Sequence, residues 1–141
     1  MTFLELCQRL RQEVGAAGNG PANVAGQSGE YARLIGWIRQ AWREIQLDRQ
    51  WRFDWARGVV ELNASDVEYP LPEDFDDWLA DTLYVGAQKL RVLPWKDLRH
   101  AATDRLSCVA IAPDGVLHLN TTPDAGTTLT FEYWRTPQEL V

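Results

Sequence analysis

The spacing of apolar residues changes once along this chain, near residue 50, from a helical repeat to a repeat of two. Before that point apolar side chains recur every three to four residues, which lines one face of an α-helix. Beyond it they alternate with polar ones, which lines one face of a β-strand. Helices in one run and strands in another point to an α+β fold: N-terminal amphipathic helices packed with an antiparallel sheet. The chain has 141 residues, 45% of them apolar. That suits a single globular domain able to bury about two thirds of its unfolded surface without a disulfide staple. The expected organisation is one domain over 1–141. Residues 1–50 form a helical part, 51–135 a mainly β part and 136–141 a tail.

Thr2 and Glu5 stand in the capping-box relation, in which each side chain satisfies a backbone N–H at the helix start. A first helix is therefore expected from about Phe3 to Val14, with Phe3, Leu6, Cys7, Leu10 and Val14 on one face and Gly15 placed to end it. Residues 15–29 read GAAGNGPANVAGQSG. This segment has no periodicity and the composition of a loop, and loops this long are usually functional or mobile. The strongest helical pattern spans Gly29 to Leu47. Tyr31, Leu34, Ile35, Ile38, Trp42 and Ile45 form its stripe, widened by Trp37 and Ala41, while Arg33, Arg39, Gln40, Arg43 and Glu44 occupy the opposite face.

Trp51, Phe53 and Trp55 alternate with Arg52 and Asp54, and Val59, Val60 and Leu62 extend the strand to a turn at Asn63–Asp66. Tyr69-Pro70-Leu71-Pro72 must be extended, because proline fixes its own φ and restricts its predecessor. A hairpin around Gly86 is expected over 78–85 and 89–93, followed by a short helix at Trp95–Ala102. A second hairpin runs from Val109 and Ile111 through Pro113-Asp114-Gly115 to Leu117 and Leu119. Leu129, Phe131 and Tyr133 mark the last of about six strands.

Catalytic patterns are weak. Gly15 to Gly20 has the outer spacing of a phosphate loop, but Pro21-Ala22 replace the required Lys and Ser/Thr, and the segment follows a helix. Gly26-Gln27-Ser28-Gly29-Glu30 falls one glycine short of a nucleophile elbow. The two histidines, His100 and His118, read as ordinary polar residues, and no metal-ligand spacing occurs. The acidic run Glu73-Asp74-Phe75-Asp76-Asp77 reads as a solvated turn or a helix N-terminus, where carboxylates suit the dipole. No catalytic residue, cofactor or metal is expected. Cys7 and Cys108 read as reduced, buried thiols. No apolar run is long enough to span a membrane, and no signal pattern is present.

Charge is uneven: residues 1–70 carry 8 basic and 9 acidic side chains, residues 71–141 carry 6 and 11, for a net of -6. Such a balance disfavours tight binding to a nucleic-acid backbone, yet it suits a channel through which DNA must slide. Seven tryptophans are many for this length. Some must anchor the core and others can anchor interfaces. An alternative use of exposed Trp and the 73–77 carboxylates would be a carbohydrate-binding or hydrolytic accessory domain.

The order of motifs resembles the head-to-tail adaptor proteins of tailed bacteriophages, also called head-completion or connector proteins. It consists of Thr2-Phe3-Leu4-Glu5-Leu6, a Gly-rich loop, Ile38-Arg39-Gln40-Ala41-Trp42-Arg43-Glu44-Ile45-Gln46, the aromatic exit Trp51-Arg52-Phe53, a strand, and Tyr69-Pro70-Leu71-Pro72-Glu73-Asp74-Phe75. The resemblance implies a structural virion protein, not an enzyme. It implies a homo-oligomeric ring of about twelve copies beneath the portal protein, extending the DNA channel without specific DNA binding and docking the tail protein. It places the protein in the virion neck, assembled in the host cytoplasm, with no membrane. In such a ring one surface meets a different surface on the neighbour. Arg33, Arg39 and Arg43 would then meet acids of the second half, Asp76, Asp77 and Asp81. Such adaptors often grip the portal with an arm beyond the last strand, which here directs attention to Trp134, Arg135, Pro137 and Leu140 as portal or tail contacts.

Overall fold

In a computed structural model all residues, 1–141, are described. The fold is α+β and divides into two compact units. One comprises Met1–Trp51 with Pro137–Val141, the other Arg52–Thr136.

The first unit is built on helices α1 (Phe3–Glu13) and α2 (Gly29–Asp48). The Thr2–Glu5 capping box is complete: Glu5 N donates to Thr2 Oγ1 at 3.1 Å and Thr2 N to Glu5 Oε2 at 2.6 Å. The Thr2 N–H given to the ionised carboxylate, and then the Thr2 hydroxyl beside it, hold the Glu5 pKa below its ordinary value. Gly15 follows the helix with φ 71°, a conformation that favours glycine. The two helices bury Phe3, Cys7, Leu34, Ile35 and Ile38 in a core of their own, with Leu6, Leu10, Val24 and Leu140 packed around it. The segment after α1 is tied down by α1 itself. Buried Arg11 donates Nε to Ala17 O at 3.1 Å and Nη1 to Glu30 at 2.7 Å. Gln8 Nε2 donates to the carbonyl of Pro21, a fully buried residue, at 3.0 Å. Trp37 and Ala41, expected to widen the buried stripe of α2, are exposed, Trp37 at 63%, and so is Ile45, expected within the stripe itself. The covered arc of α2 is narrower than the apolar one.

The second unit holds nine strands in two sheets, against the expected six or so in one. The first sheet orders β1 (Trp55–Glu61), β9 (Thr128–Arg135), β4 (Tyr84–Val85) and β5 (Gln88–Lys89), with β3 (Phe75–Trp78) also on β9. The second orders β2 (Glu68–Tyr69), β8 (Leu117–Leu119), β7 (Cys108–Ile111) and β6 (Arg91–Val92). All pairings are antiparallel except β6–β7. Leu90, 2% exposed, carries the chain from one sheet to the other: its N–H bonds Leu83 O, while the next N–H bonds Ser107 O. Both sheets feed one core through Leu117, Leu119, Val109, Leu129, Phe131 and Tyr133. The alternation expected for the last strand is present, with Leu129, Phe131 and Tyr133 buried.

Three elements differ locally from the sequence expectation. Arg52–Asp54 is a 3-10 turn and the strand begins only at Trp55, so the alternation of Trp51, Phe53 and Trp55 is not that of a strand. The hairpin around Gly86 forms, but only between Tyr84–Val85 and Gln88–Lys89. The short helix is α3 (Trp95–Leu98), continued by a 3-10 turn over Arg99–Ala101.

Candidate interaction surfaces

The side chains singled out from the sequence fall into three groups. Arg33, Arg39 and Arg43 are exposed on α2. The Arg39 guanidinium lies 5.4 Å from the centre of the Phe3 ring, a cation–π contact that holds α1 and α2 together as well as presenting charge. Trp37, Ala41 and Ile45 form an exposed row along the same helix at i, i+4 and i+8.

The acidic group lies in the β unit. Asp76 and Asp77 are exposed on β3, and the β3–β9 register shifts between Phe75 and Asp77, so Asp76 occupies a bulge. Asp81 sits at φ 65° and pairs with Lys89 Nζ at 2.6 Å, a bond that holds the Lys89 pKa above its usual range. Asp74 turns inward. It accepts the Tyr133 hydroxyl at 2.8 Å, and its carbonyl accepts the Thr136 N–H.

The third group straddles the end of β9. Trp134 stands opposite Trp55 in the β1–β9 register, and Arg135 Nη2 donates to Phe53 O. The segment beyond it belongs to the helical unit. Gln46, 6% exposed, receives the Gln138 N–H on Oε1 at 2.8 Å and donates Nε2 to Gln138 O at 3.0 Å. Trp42 Nε1 donates to the same carbonyl at 2.8 Å. Pro137 is half-buried, and Leu140 packs against the helical core.

The histidines lie apart. His118 Nδ1 is 3.7 Å from Glu68 and its ring meets Trp95 edge-on at 4.6 Å. His100 lines a groove of about 600 Å³ with Trp95, Lys96, Arg99 and Asn120. No three His, Cys, Asp or Glu side chains converge in a way that could hold a metal ion.

Two features escape the sequence. The first is the charge of each unit. The helical unit carries 6 basic and 6 acidic side chains, the β unit 8 and 14, so the whole net charge resides in the β unit. The second is the edge of β1. Leu62 N bonds Thr127 O, and the register then gives Val60, Gly58 and Ala56 the hydrogen-bonded positions against β9. The backbone groups of Trp55, Arg57, Val59 and Glu61 point the other way. β1 pairs with β9 alone. Its solvent face carries Val59 at 64% exposure and Arg57 with its side chain at 75%, the latter 3.8 Å from Glu132 and 5.1 Å from the Trp55 ring centre. No sequence signal marks this edge, since edge status depends on which strands pair.

The family model described as SU10 adaptor protein matches residues 1–141. No curated protein matches the chain.

Proposed function

The chain belongs to the SU10 adaptor protein family, and from that premise we propose that its copies close into a ring beneath the portal, extend the DNA channel and dock the tail. It is a structural adaptor of a tailed phage. The observation that carries the reading is a family match running over residues 1–141 rather than over one element. The ring takes about twelve copies, as in the adaptors it resembles, in one cyclic, head-to-tail contact. It sits in the virion neck after assembly in the host cytoplasm. No helix is long and apolar enough to cross a membrane.

The charge split supports this reading. A neutral helical unit presenting Arg33, Arg39 and Arg43 can meet the acidic β unit of a neighbour at Asp76 and Asp77, which fixes register more than affinity. Asp81, paired with Lys89 in its own chain, is the weaker partner of the three acids. A surplus of carboxylates also leaves DNA free to slide, because phosphate binding needs clustered cations. Trp134, Arg135, Pro137 and Leu140 are the proposed portal or tail contacts.

The test is negative-stain imaging and native mass measurement of the chain mixed with the portal of its own phage. Coaxial rings on the portal are expected; a chain that stays unassembled and off the portal overturns the reading. Arg39→Glu with Arg43→Glu should leave the chain folded, with a stability change on the order of 0.5–1 kcal/mol for two surface charges and one cation–π contact. The same pair should reduce ring yield, and Asp76→Lys with Asp77→Lys should partly restore it. Full ring yield in the arginine variant would remove α2 from the contact.

A further inference from the structure

Among the free edges of the two sheets, β1 alone is both long and unbroken. Natural sheets blunt their edges by shortness, bulges, proline or inward charge. Here β3 is bulged, and β2, β5 and β6 are two residues long. β1 runs for seven residues, has no proline or lysine, and pairs in unbroken register with β9. Its outward backbone groups belong to alternate residues, Trp55, Arg57, Val59 and Glu61, and the same four side chains share the solvent face.

We propose that β1 pairs antiparallel with β1 of a second copy, in a two-fold dimer centred on Val59, and that this dimer is the form of the chain before it enters any larger assembly. Hydrogen-bonded pairs in such a ladder must join outward residues to outward residues. Centring on Val59 meets that demand: Val59 faces Val59, and Arg57 faces Glu61 of the second copy on both sides. The strand is then complementary to itself in charge, with an apolar pair between two opposite-charge pairs, each of which favours cross-strand contact. Other centres do worse. Centring on Arg57 sets arginine against arginine, and centring between Arg57 and Val59 sets each charged side chain against an uncharged one. Glu61 makes no ion pair within its own chain and so is available. The ladder also has a natural end, because the N–H of Asn63, the next outward residue, is already given to Tyr69 Oη at 3.1 Å.

A two-fold contact uses the same patch on both subunits and closes after two copies, whereas a cyclic ring needs two different patches. The dimer therefore stands independently of the ring, and β1 must exchange its partner if the ring uses that edge.

The experiment is a sedimentation-equilibrium mass measurement of the full chain across a dilution series, with circular dichroism to verify folding. A monomer–dimer equilibrium is expected for the native chain. Val59→Pro removes an outward N–H and no bond to β9, and should weaken the dimer by about tenfold or more while the fold is kept. Arg57→Glu and Glu61→Arg should each weaken it, and the two together should restore it. That rescue separates the proposal from mere damage to the Arg57–Glu132 contact, which the double variant does not repair. A native chain monomeric at every concentration would overturn the proposal, as would a dimer indifferent to Val59→Pro and to both single charge reversals.

Discussion

A methyl group at Gly58 would stand 2.2 Å from the Phe131 ring, closer than any packed pair of carbons allows. The glycine is there because the ring, wedged edge-on against Trp78 at 5.0 Å, fills the space above β1. Gly58→Ala should destabilise the fold by about 1–3 kcal/mol, the usual penalty for overpacking. An unchanged melting temperature would mean that the ring swings aside freely. Tyr133 makes a second residue-scale case. Burial first, and then its bond to Asp74, push its pKa up to about 12 from an ordinary value near 10. The folded chain thus holds this proton more tightly than the unfolded one. The stabilisation is whole below pH 10 and is lost as pH rises towards 12. Ultraviolet titration should show one late-ionising tyrosine that disappears in Tyr133→Phe. The stability gap between that variant and the native chain should close over the same interval. A gap that stays constant through pH 12 would place its origin elsewhere than the Tyr133–Asp74 bond.

Elements were legible where a local rule is sufficient to define them. The Thr2–Glu5 box, the Tyr31-to-Ile45 stripe except for the exposed Ile45, the Pro113-Asp114-Gly115 hairpin and the alternation of β9 are each written in a short stretch of sequence, and each is present. The failures share a different cause. Trp51, Phe53 and Trp55 at spacing two mimic a strand, although Arg52–Asp54 forms a 3-10 turn and the strand begins only at Trp55. Residues 89–93, expected as one strand of the Gly86 hairpin, are split between β5 and β6, two-residue strands in different sheets. Arg11, a charged residue that no sequence pattern marks as interior, is buried with bonds to a loop and to α2. Of the candidate contact residues, the exposure of Arg33, Arg39 and Arg43 followed from helical geometry, whereas the Asp81–Lys89 pair and the β1 edge arise only from strand pairing. The clasp on Gln138 is equally non-local, joining residues 92 apart. Gln46→Ala should remove two bonds to the half-buried Gln138 peptide group. A local cost of about 1–3 kcal/mol is expected. Native-state hydrogen exchange should read it as faster exchange at Gln138, with the amides of β9 unaffected. Unaltered exchange at Gln138 would show that Trp42 holds the segment alone.

At the scale of the molecule, the change of period near residue 50 coincides with the passage from one unit to the other after Trp51. The α+β class could be read from it. What could not be read is that the helices have a core of their own and that the chain returns to them at Pro137, since that return depends on a glutamine amide and a tryptophan N–H rather than on any pattern. Each unit encloses one of the two cysteines, Cys7 with the helical core and Cys108 in the β unit, both at 0% exposure. Burial also raises the Cys7 pKa, so that its thiolate is scarce until the core parts. The native chain therefore carries a matched pair of chemical clocks. A thiol reagent added to the folded protein can consume each sulfur only as fast as its own enclosure opens. The two labelling rates, resolved by peptide mass, would time the breathing of the helical and β units separately, with no residue changed to do it.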